Sequence, residues 1–597
     1  MVSDNMWGFA FQDLFTTFFA MNTNKELAAL FSRMAQVLEL LGANRFRLNA
    51  YQRGVRTLEG MTQDVGDLAD SIATLTAIDG IGKGLAEKIV EYVQTGEIAE
   101  LSELTSQVPD GVLKMLDISG LGPKTVAMFW KDAGVLNVDD LKAKIESGEL
   151  EKLPRMGKKK LENIRKSIEF AESAGDRARI GDAMVVATYF VDQLSSIAGV
   201  NRINYAGSLR RGKETIGDID VLVACDDPDS LSETFRSLPP VTEVLAAGAT
   251  KSSVRTESGM QVDLRVVPLE QYGAALAYFT GSKEHNVAMR ERAIKQGLRL
   301  NEYGLWRKEA DQDVCVAAET EEAIYEALGI AFVPPELRES RGEFQAAQTK
   351  SVPALVDIAD IKAELHAHTT ASDGTLSIVE LAEQAKSRGF HTVAVTDHSA
   401  SSAIANGLDI DRLLKHIEAV HAANESVADI TILAGSEVDI LADGSLDYPD
   451  EILAKLDIVV ASPHIALTQD PDKATSRLLA AINNPYVHIL GHPTGRIIGQ
   501  REGLSPDMSR IIQAAADTDT ALEINCHHSR LDLRDTHVRA TVEANVKISI
   551  NTDAHRPQDF DHLIYGVLTA RRGWARADDV VNCMSHDALH TWLKSKR

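Results

Sequence analysis

Histidine is distributed very unevenly along the chain, and this constrains the fold of the carboxyl-terminal part more than any other feature. Of 17 histidines in 597 residues, His285 alone precedes His366, and all the others follow from there. From Ile361 onward, strand-like apolar runs alternate with helical stretches, which is typical of an α/β barrel. Side chains at the carboxyl ends of barrel strands converge on one cavity. The pattern therefore predicts a histidine-rich site at one end of a barrel.

Six short segments place potential metal ligands at successive predicted strand ends. His366 and His368, two residues apart on one strand, face the same way and can chelate one ion. A core histidine held by a hydrogen bond is the ordinary explanation of any single position, but it does not explain the whole series. The nine candidate ligands are His366, His368, Asp373, His398, Glu437, His464, His492, Asp553 and His555.

Composition limits the kinds of partner. The chain has 62 basic and 87 acidic residues, a formal charge of −25, which argues against holding nucleic acid by bulk positive charge but not against local binding. The four cysteines lack CxxC spacing, so no disulfide framework is indicated and a cytoplasmic location is expected. Residues 1–20 contain five phenylalanines but no basic segment or long apolar run, so neither a signal peptide nor a membrane span is predicted.

Residues 21 to about 174 have a helical pattern with three glycine-containing interruptions, IDGIGKG, ISGLGPK and LPRMGKK. Each precedes a helical stretch, where exposed backbone N–H groups can bind phosphate oxygens and glycine permits close approach. One copy is ordinarily a glycine-capped helical turn, but three copies indicate an internal repeat that contacts the DNA backbone. The predicted contact residues are Gly80, Gly82, Gly120, Gly122, Gly157 and Lys158.

A second kind of site is predicted by GSLRRGKETIGDIDVLV at residues 207–223. Because side chains alternate along a strand, Asp218 and Asp220 project from one face, where a divalent cation would offset their repulsion. Oxygen-only ligands indicate Mg²⁺. Asp263, in the strand-like QVDLRVV, is the candidate third carboxylate of a two-metal site. A bare DxD is usually an exposed strand face, but the preceding GS and RRG supply hydroxyl, N–H and guanidinium donors suited to a triphosphate.

These motifs, with YFTGSKEHNVAMRERA at residues 278–293, resemble the nucleotidyltransferase palm of family X DNA polymerases. The resemblance implies that the three aspartates are catalytic and bind two Mg²⁺ ions, with Asp263 helping to activate the primer 3′-hydroxyl. It also implies that Arg290 contacts the template strand, whereas Gln261 replaces an arginine of the family pattern. The implied nucleotide-binding residues are Arg179, Ser208, Arg211, Gly217, Tyr278, Phe279, Gly281 and Asn286.

The amino-terminal region resembles the helical lyase domain of the same family. Lys88 matches a lysine that forms a Schiff base with a 5′-deoxyribose phosphate, and Tyr51 matches a supporting tyrosine. Gly84 and Arg47 stand where the family has lysines. The sequence therefore predicts 5′-phosphate binding more strongly than lyase activity, and a solvated helical lysine remains the alternative for Lys88.

The histidine-rich region resembles the PHP (polymerase and histidinol phosphatase) domain, a distorted seven-stranded α/β barrel with a trinuclear metal site. The resemblance implies that all nine candidates are ligands, that Glu437 bridges ions, and that the site hydrolyses phosphodiesters. Mixed nitrogen and oxygen ligands favour Mn²⁺ or Zn²⁺, up to three ions. His527 and His528 depart from the family pattern and are interpreted as polar wall rather than ligands.

Together these features predict a multidomain fold: a helical helix-hairpin-helix region, an α+β nucleotidyltransferase palm and a distorted (β/α)7 PHP barrel. The expected function is DNA polymerisation across short gaps in DNA repair, with 3′–5′ exonuclease activity and further 3′-phosphodiesterase or abasic-site endonuclease activity in the barrel. Gapped or primer–template DNA and dNTPs are the expected partners of a monomer. Two alternatives stay open: a DNA-targeted phosphoesterase with an idle palm, and a non-catalytic scaffold at DNA breaks.

The expected domain boundaries follow from these shifts in composition and motif. Residues 335–359 are interpreted as a linker because of their prolines and weak periodicity. The other divisions are an extension at 1–20, a helical domain with the first helix-hairpin-helix at 21–98, a helical DNA-binding subdomain at 99–175, the palm at 176–269, a nucleotide-selection subdomain at 270–334 and the PHP domain at 360–597.

Overall fold

The computed structural model divides the chain into two compact units, Met1–Gly175 with Gly499–Arg501 and Asp176–Ile498 with Glu502–Arg597. The extension at 1–20 and Gly120 lie outside the described residues. Among the described helices, none combines the length and apolar character that crossing a membrane requires. The described residues are 22–596 without 62–63, 79, 117, 119–120, 155, 159, 163, 166–167, 169–176 and 310–311.

The described α-helices are numbered here in chain order. They are α1 (Asn22–Leu41), α2 (Arg45–Gly60), α3 (Ile72–Thr76), α4 (Lys83–Thr95), α5 (Ala99–Thr105), α6 (Asp110–Met115), α7 (Pro123–Ala133), α8 (Val138–Glu146), α9 (Ile180–Ser195), α10 (Gly207–Arg210), α11 (Pro228–Ser237), α12 (Tyr272–Thr280), α13 (Lys283–Lys295), α14 (Glu321–Ala327), α15 (Glu343–Thr349), α16 (Ile378–Ser387), α17 (Ile410–Ser426), α18 (Asp450–Leu453), α19 (Pro471–Ile482), α20 (Met508–Thr518), α21 (Asp535–Glu543), α22 (Leu563–Arg572) and α23 (His586–Ser595).

The described β-strands form several sheets and are numbered in the same way. They are β1 (Ala178–Arg179), β2 (Val200–Tyr205), β3 (Thr215–Ile216), β4 (Asp218–Cys225), β5 (Val241–Ala246), β6 (Lys251–Thr256), β7 (Gln261–Val267), β8 (Leu298–Asn301), β9 (Gly304–Lys308), β10 (Asp313–Ala317), β11 (Ala363–Ala367), β12 (Thr392–Val395), β13 (Thr431–Asp439), β14 (Ile458–Ser462), β15 (Ile489–Leu490), β16 (Ala521–Asn525) and β17 (Ile548–Asn551).

The first unit is helical and buries one continuous apolar core. On α1, Leu27, Phe31, Met34 and Leu38 recur at the spacing of one helix face, and all four are almost fully buried. Glycines of the predicted repeats begin helices, since Gly82 caps α4 and Gly122 caps α7 with extended backbone. Pro123 at the first position of α7 fits a place where the helix needs no N–H donor.

The palm is a five-stranded sheet in the order β2–β4–β7–β6–β5. Strands β4 and β7 run parallel, and the remaining neighbours run antiparallel. The inward residues of β4, including Ile219, Val221 and Val223, are buried, so the alternate residues Asp218 and Asp220 lie on the other face. A separate three-stranded sheet, β10–β9–β8, follows the palm in the chain.

The segment 335–359 differs from the linker expected for it. Arg338, whose side chain is fully buried, donates to Glu321 Oε1 at 2.6 Å and lies over the ring of Tyr325. Glu343, on α15, is also fully buried, and its carboxylate lies 2.9 Å from His285 Nδ1. Prolines interrupt periodicity without preventing burial, and each buried charge is paired. Parts of this segment, including Arg338 and Glu343, therefore belong to the core.

The carboxyl-terminal part is a seven-stranded parallel sheet in the order β11 to β17. A parallel bridge between Ala367 and Ala554 connects the ends of the first and last strands, so the sheet is nearly closed into a barrel. Strands β11, β12, β14, β16 and β17 are buried along their full length, as expected for strands covered on both faces. The predicted fold class of helical region, palm and distorted barrel is confirmed.

Candidate functional sites

Three carboxylates meet on two neighbouring strands of the palm. Asp218 and Asp220 lie on β4, and Asp220 pairs in register with Asp263 on β7. Gln261 pairs with Asp218 and donates from Nε2 to Asp263 Oδ1 at 2.8 Å. The structure thus brings together the three aspartates that the sequence singled out, and Gln261 orients the third.

The electrostatics of this group fit a cation. Burial, together with the nearby Asp218 and Asp263, raises the pKa of Asp220 to about 7. Crowded carboxylates of this kind repel unless a proton or cation lies among them, and hard divalent cations prefer oxygen ligands. Gly207 leaves the necessary room, because its φ is +64° and a Cβ there would lie 2.5 Å from Asp220 Oδ2. The residues present therefore suit a divalent metal.

A pocket of about 490 Å³ opens beside these aspartates. It contains most of the predicted nucleotide-binding side chains and the predicted template contact, Arg290. Arg177 and Lys213 also line it, and sequence reasoning missed both cations. The described lining residues are Arg177, Gly207, Ser208, Arg211, Lys213, Asp218, Asp220, Tyr278, Phe279, Thr280, Gly281, Lys283, Asn286 and Arg290.

Two predicted nucleotide-binding residues do not line that pocket within the described part of the chain. Arg179 donates from Nε to the backbone carbonyl of Ile498 at 3.2 Å, so it holds the barrel rather than the pocket. Gly217 lies behind Arg177, whose guanidinium bonds to Thr215 through Oγ1 at 3.0 Å and the carbonyl at 2.6 Å. Arg177 and Arg179 both precede the GSLRRG motif in the sequence. Only the path of the backbone determines that Arg177 lines the pocket and that Arg179 contacts the barrel.

Arg211 connects this pocket to the barrel. Its Nε lies 3.0 Å from Glu339 Oε1, and its Nη1 donates to the carbonyl of Thr280 at 2.6 Å. Arg572, on α22 of the barrel, donates to the carbonyl of Arg211 at 2.7 Å and lies 3.0 Å from the same glutamate. Burial alone would raise the pKa of Glu339, but Arg572 and Arg211 hold it below its usual value.

The predicted lyase residues of the first unit gather around an acid that the sequence analysis did not identify. Lys88 Nζ lies 2.5 Å from Glu100 Oε2, and Tyr51 donates to the same carboxylate at 3.3 Å. Arg47 pairs with it as well. Burial, then Glu100, raises the pKa of Tyr51 above its usual range. The sequence offered only helical spacing as a signal, and that spacing cannot show which acid on α5 contacts Lys88 on α4.

The predicted DNA-backbone glycines occupy different surroundings. No described atom lies within 4 Å of a Cβ built at Gly82, Gly122 or Gly157, so their backbones are accessible. Gly80 instead turns with φ +90° against Thr57, where a Cβ would lie 2.1 Å from Oγ1. Lys158 is exposed at the start of its helical segment.

In the barrel, all nine predicted ligands converge at the carboxyl ends of the strands. Glu437 Oε1 lies 2.8 Å from His492 Nε2 and 3.2 Å from His464 Nε2, while Oε2 lies 2.9 Å from His398 Nδ1. His368 Nε2 lies 3.0 Å from Asp553 Oδ1. Three ligand clusters result: His368, Asp373, His398 and His555; His366, His368 and Asp553; and His398, Glu437 and His464.

Outer residues orient several of these ligands. His366 Nδ1 lies 2.7 Å from Glu523 Oε1, and His464 Nδ1 contacts Asp439. Such carboxylate–histidine pairs fix the ring and direct its other nitrogen toward a metal. Sequence reasoning did not identify Glu523 or Asp439 as partners, although both stand within or at the end of predicted strands.

The donor set fits metal ions. Some buried ligand atoms, including His366 Nε2 and His368 Nδ1, have no hydrogen-bond partner in the described structure. Leaving buried polar atoms unpaired is costly, and a metal would satisfy them. Burial would raise the pKa of Glu437, but His464, His366 and His398 hold it well below its usual value. The carboxylate is therefore charged and able to bind a cation.

Family models match five segments that together cover most of the chain. The barrel matches the PHP domain, and the segments before it match polymerase beta modules and helix-hairpin-helix domains. The matches are helix-hairpin-helix domain at 22–98, SAM-like helix-hairpin-helix tandem at 112–169, DNA polymerase beta palm at 182–261, DNA polymerase beta thumb at 275–339 and PHP domain at 364–527.

Relatives match both the complete architecture and its parts. The chain is 37% identical over 572 residues to the DNA polymerase/3′–5′ exonuclease PolX of Bacillus subtilis, covering 96% of this chain and 99% of that protein. It is 26% identical to DNA polymerase lambda of Rattus norvegicus, over 54% of this chain and 57% of that one. A probable phosphatase of Caldanaerobacter subterraneus is 31% identical over 32% of this chain and 75% of its own. The chain therefore belongs to the family X DNA polymerases that carry a carboxyl-terminal PHP domain.

Proposed function

We propose that the chain fills short gaps in DNA during repair, including base excision repair, and trims 3′ ends with its barrel. The polymerase proposal rests on the register of Asp220 with Asp263, and on a pocket that Asp218 and Asp220 line together with several cations. A palm without polymerase activity would have no need for three carboxylates that lie close enough to repel one another. The 3′–5′ exonuclease proposal is supported by the complete ligand set of the barrel.

The three palm aspartates would hold two Mg²⁺ ions, which when bound supply positive charge at the attacking and leaving oxygens. Asp263 Oδ1 accepts a hydrogen bond from Gln261, and this contact fixes the orientation of the carboxylate. Asp220, with a pKa of about 7, is the member of the group that benefits most from a bound cation. The residues themselves bind the ions and orient the primer end.

The pocket would take the dNTP. Ser208, Arg211 and Lys213 supply donors for its phosphates, with Arg177 replacing Arg179 in this role. Tyr278 and Phe279 stand edge to face, with ring centroids 5.2 Å apart, and form an apolar wall for the sugar. Asn286 donates to the carbonyl of Tyr278 at 2.7 Å, which fixes that wall. Gly281 lines the same wall, and Arg290 lies at its edge near the template strand.

The first unit would hold gapped or primer–template DNA by its backbone. The open amides at Gly82, Gly122 and Gly157 can approach phosphate oxygens, and Lys158 adds a local positive charge. This mode uses few cations, which explains how a chain of net charge −25 binds DNA. We propose that it acts as a monomer.

The barrel would hold up to three Mn²⁺ or Zn²⁺ ions in its nine-residue centre. Such ions, when bound, polarise a phosphodiester and stabilise the leaving oxygen. The chain's own residues set the site by burying the ligands and by orienting His366 through Glu523. The same chemistry extends to 3′-phosphodiester and abasic-site substrates, which we propose as secondary activities.

Extension of a gapped duplex with Mg²⁺ tests the polymerase proposal. Asp218→Ala should abolish extension and retain 3′ degradation, while Asp229→Ala, at an exposed aspartate on α11, should change neither. If the parent protein extends no primer, the palm is idle and the proposal fails.

Degradation of a 3′ end with Mn²⁺ tests the barrel separately. His366→Ala should abolish degradation and leave extension intact, with His421→Ala, at an exposed histidine, as the matched control. Unchanged degradation in His366→Ala would refute the nuclease assignment while leaving the polymerase proposal standing.

A further inference from the structure

Three histidines outside the nine-residue centre lie together at the same end of the barrel. His527 and His528 follow β16, and His562 ends the 3-10 helix Pro557–His562 after β17. Each offers one ring nitrogen, and the three nitrogens lie within 4.8 Å of one another. From the sequence, His527 and His528 are interpreted as polar wall, and His562 is not considered. This third histidine is distant in the sequence and lies beside the other two only in the folded chain.

The three rings pack against one another. His527 and His528 stack at 5.1 Å with planes 16° apart, and His562 stands nearly perpendicular to His527 at 4.6 Å and 73°. His528 and His562 are 5.5 Å apart at 65°. Imidazoles bound to one tetrahedral ion have nitrogens about 3.4 Å apart, given metal–nitrogen bonds of about 2.1 Å. The three nitrogens lie within 4.8 Å of one another, which is compatible with that spacing after rotation of the side chains.

Neighbouring residues hold two of the rings in place. His527 Nδ1 accepts from the backbone N–H of Ser529 at 3.3 Å and lies 2.7 Å from Ser529 Oγ, so two contacts hold this ring in place. His528 packs on Gly181 of the palm helix α9, where a Cβ would lie 2.3 Å from its ring.

The chemistry of the cluster selects the ion. A donor set of three imidazoles suits Zn²⁺ or a similar transition metal rather than Mg²⁺ or Ca²⁺. The three side chains are half-buried, so solvent can reach a fourth position. We propose that His527, His528 and His562 form a separate zinc site that fastens the turn after β16 to the segment before α22, beside the palm.

Zinc stoichiometry tests the proposal on the full chain. Parent protein, His562→Gln, His527→Asn and the control His421→Gln are saturated with Zn²⁺, dialysed and analysed for metal per chain. Both site variants should bind one equivalent fewer than parent and control, and retain gap extension and 3′ degradation. With Co²⁺ in place of Zn²⁺, the visible absorption of a four-coordinate ion should weaken by one site's share in the same two variants.

Ser529→Ala keeps all three ligands and guards against variants that fail to fold. Loss of an outer-sphere partner should weaken the affinity of this one Zn²⁺ about 10-fold while the maximum stoichiometry stays at the parent value. Equal stoichiometry and affinity in parent, His562→Gln and His527→Asn would overturn the proposal. Loss of more than one ion together with 3′ degradation would also overturn it, because the histidines would then belong to the nine-residue centre.

Discussion

Replacing Arg572 should weaken nucleotide insertion although this arginine lies in the barrel. Its side chain is 4% exposed, and it donates to the carbonyl of Arg211, which lines the nucleotide pocket. It also shares Glu339 with Arg211 and pairs with Asp535 at 2.9 Å. Arg572→Ala therefore removes contacts that hold Arg211, the side chain proposed to bind phosphate, and leaves the residues that line the pocket unchanged. In this role Arg572 is a positioning residue.

The contacts set the size of the effect. After truncation, Glu339 keeps Arg211 and Asp535 keeps Arg341, so neither carboxylate is left as an isolated buried charge. The cost is then nearer to a lost charged hydrogen bond, about 1.5–3 kcal/mol, than to the 3–5 kcal/mol of a broken buried pair. If that cost falls on the placement of Arg211, kcat/KM for the dNTP drops by about 10- to 100-fold.

Single-nucleotide insertion into a gapped duplex with Mg²⁺ measures this drop, and 3′ degradation with Mn²⁺ provides the internal comparison. We expect KM for the dNTP to rise, 3′ degradation to stay within about twofold of the parent, and Arg572→Lys to recover part of the loss. Arg510→Ala, at an exposed arginine on α20, is the matched control. Unchanged insertion in a folded Arg572→Ala protein would refute the reasoning, and so would an equal loss of both activities.

Further predictions concern stability and the amino-terminal site. Arg338 and Arg210 hold the pKa of Glu321 at about 2 against burial, so this group stabilises the fold above pH 4.5 and the contribution is lost as pH falls toward 2. Glu321→Gln should lower the free energy of unfolding by about 3 kcal/mol at pH 7, with the difference shrinking below pH 4.5 in chemical denaturation. The Lys88 amine forms an ion pair with Glu100, which hinders its attack on an aldehyde. Borohydride trapping of a 5′-deoxyribose phosphate should therefore be weak in the parent and stronger in Glu100→Gln. Equal trapping in the two proteins would contradict this prediction. Asn582→Ala removes side-chain bonds to the first and last barrel strands and should lower the melting temperature of the barrel by several degrees without changing gap extension.

The parts of the site that follow strand geometry were predictable. Alternation along a strand placed Asp218 and Asp220 on one face, and barrel topology gathered ligands from distant segments, such as His366 and Asp553. These inferences depend on periodicities that any strand or barrel must obey.

The parts that depend on side-chain reach were not predictable. Arg177 and Arg179 are equally placed before the palm motif, and only the position of Ile498 decides that Arg179 binds the barrel. Glu100 reaches Lys88 from another helix, and no local pattern records that contact. Composition also failed for the segment after residue 334, since proline content says nothing about whether Arg338 has a buried partner.

The packed segment that follows residue 334 has a practical meaning for dissecting the protein. A polymerase fragment ended there would lose Arg338, leave Glu321 with one of its two arginines, and remove the carboxylate that bonds His285. The Tyr325 ring would also lose its contact with that arginine. Excision at this point would be a core deletion rather than a separation of modules. Gene rearrangements that move or exchange the nuclease domain would face the same obstacle. Residues that follow position 334 form part of the polymerase core, so a break there would damage the polymerase.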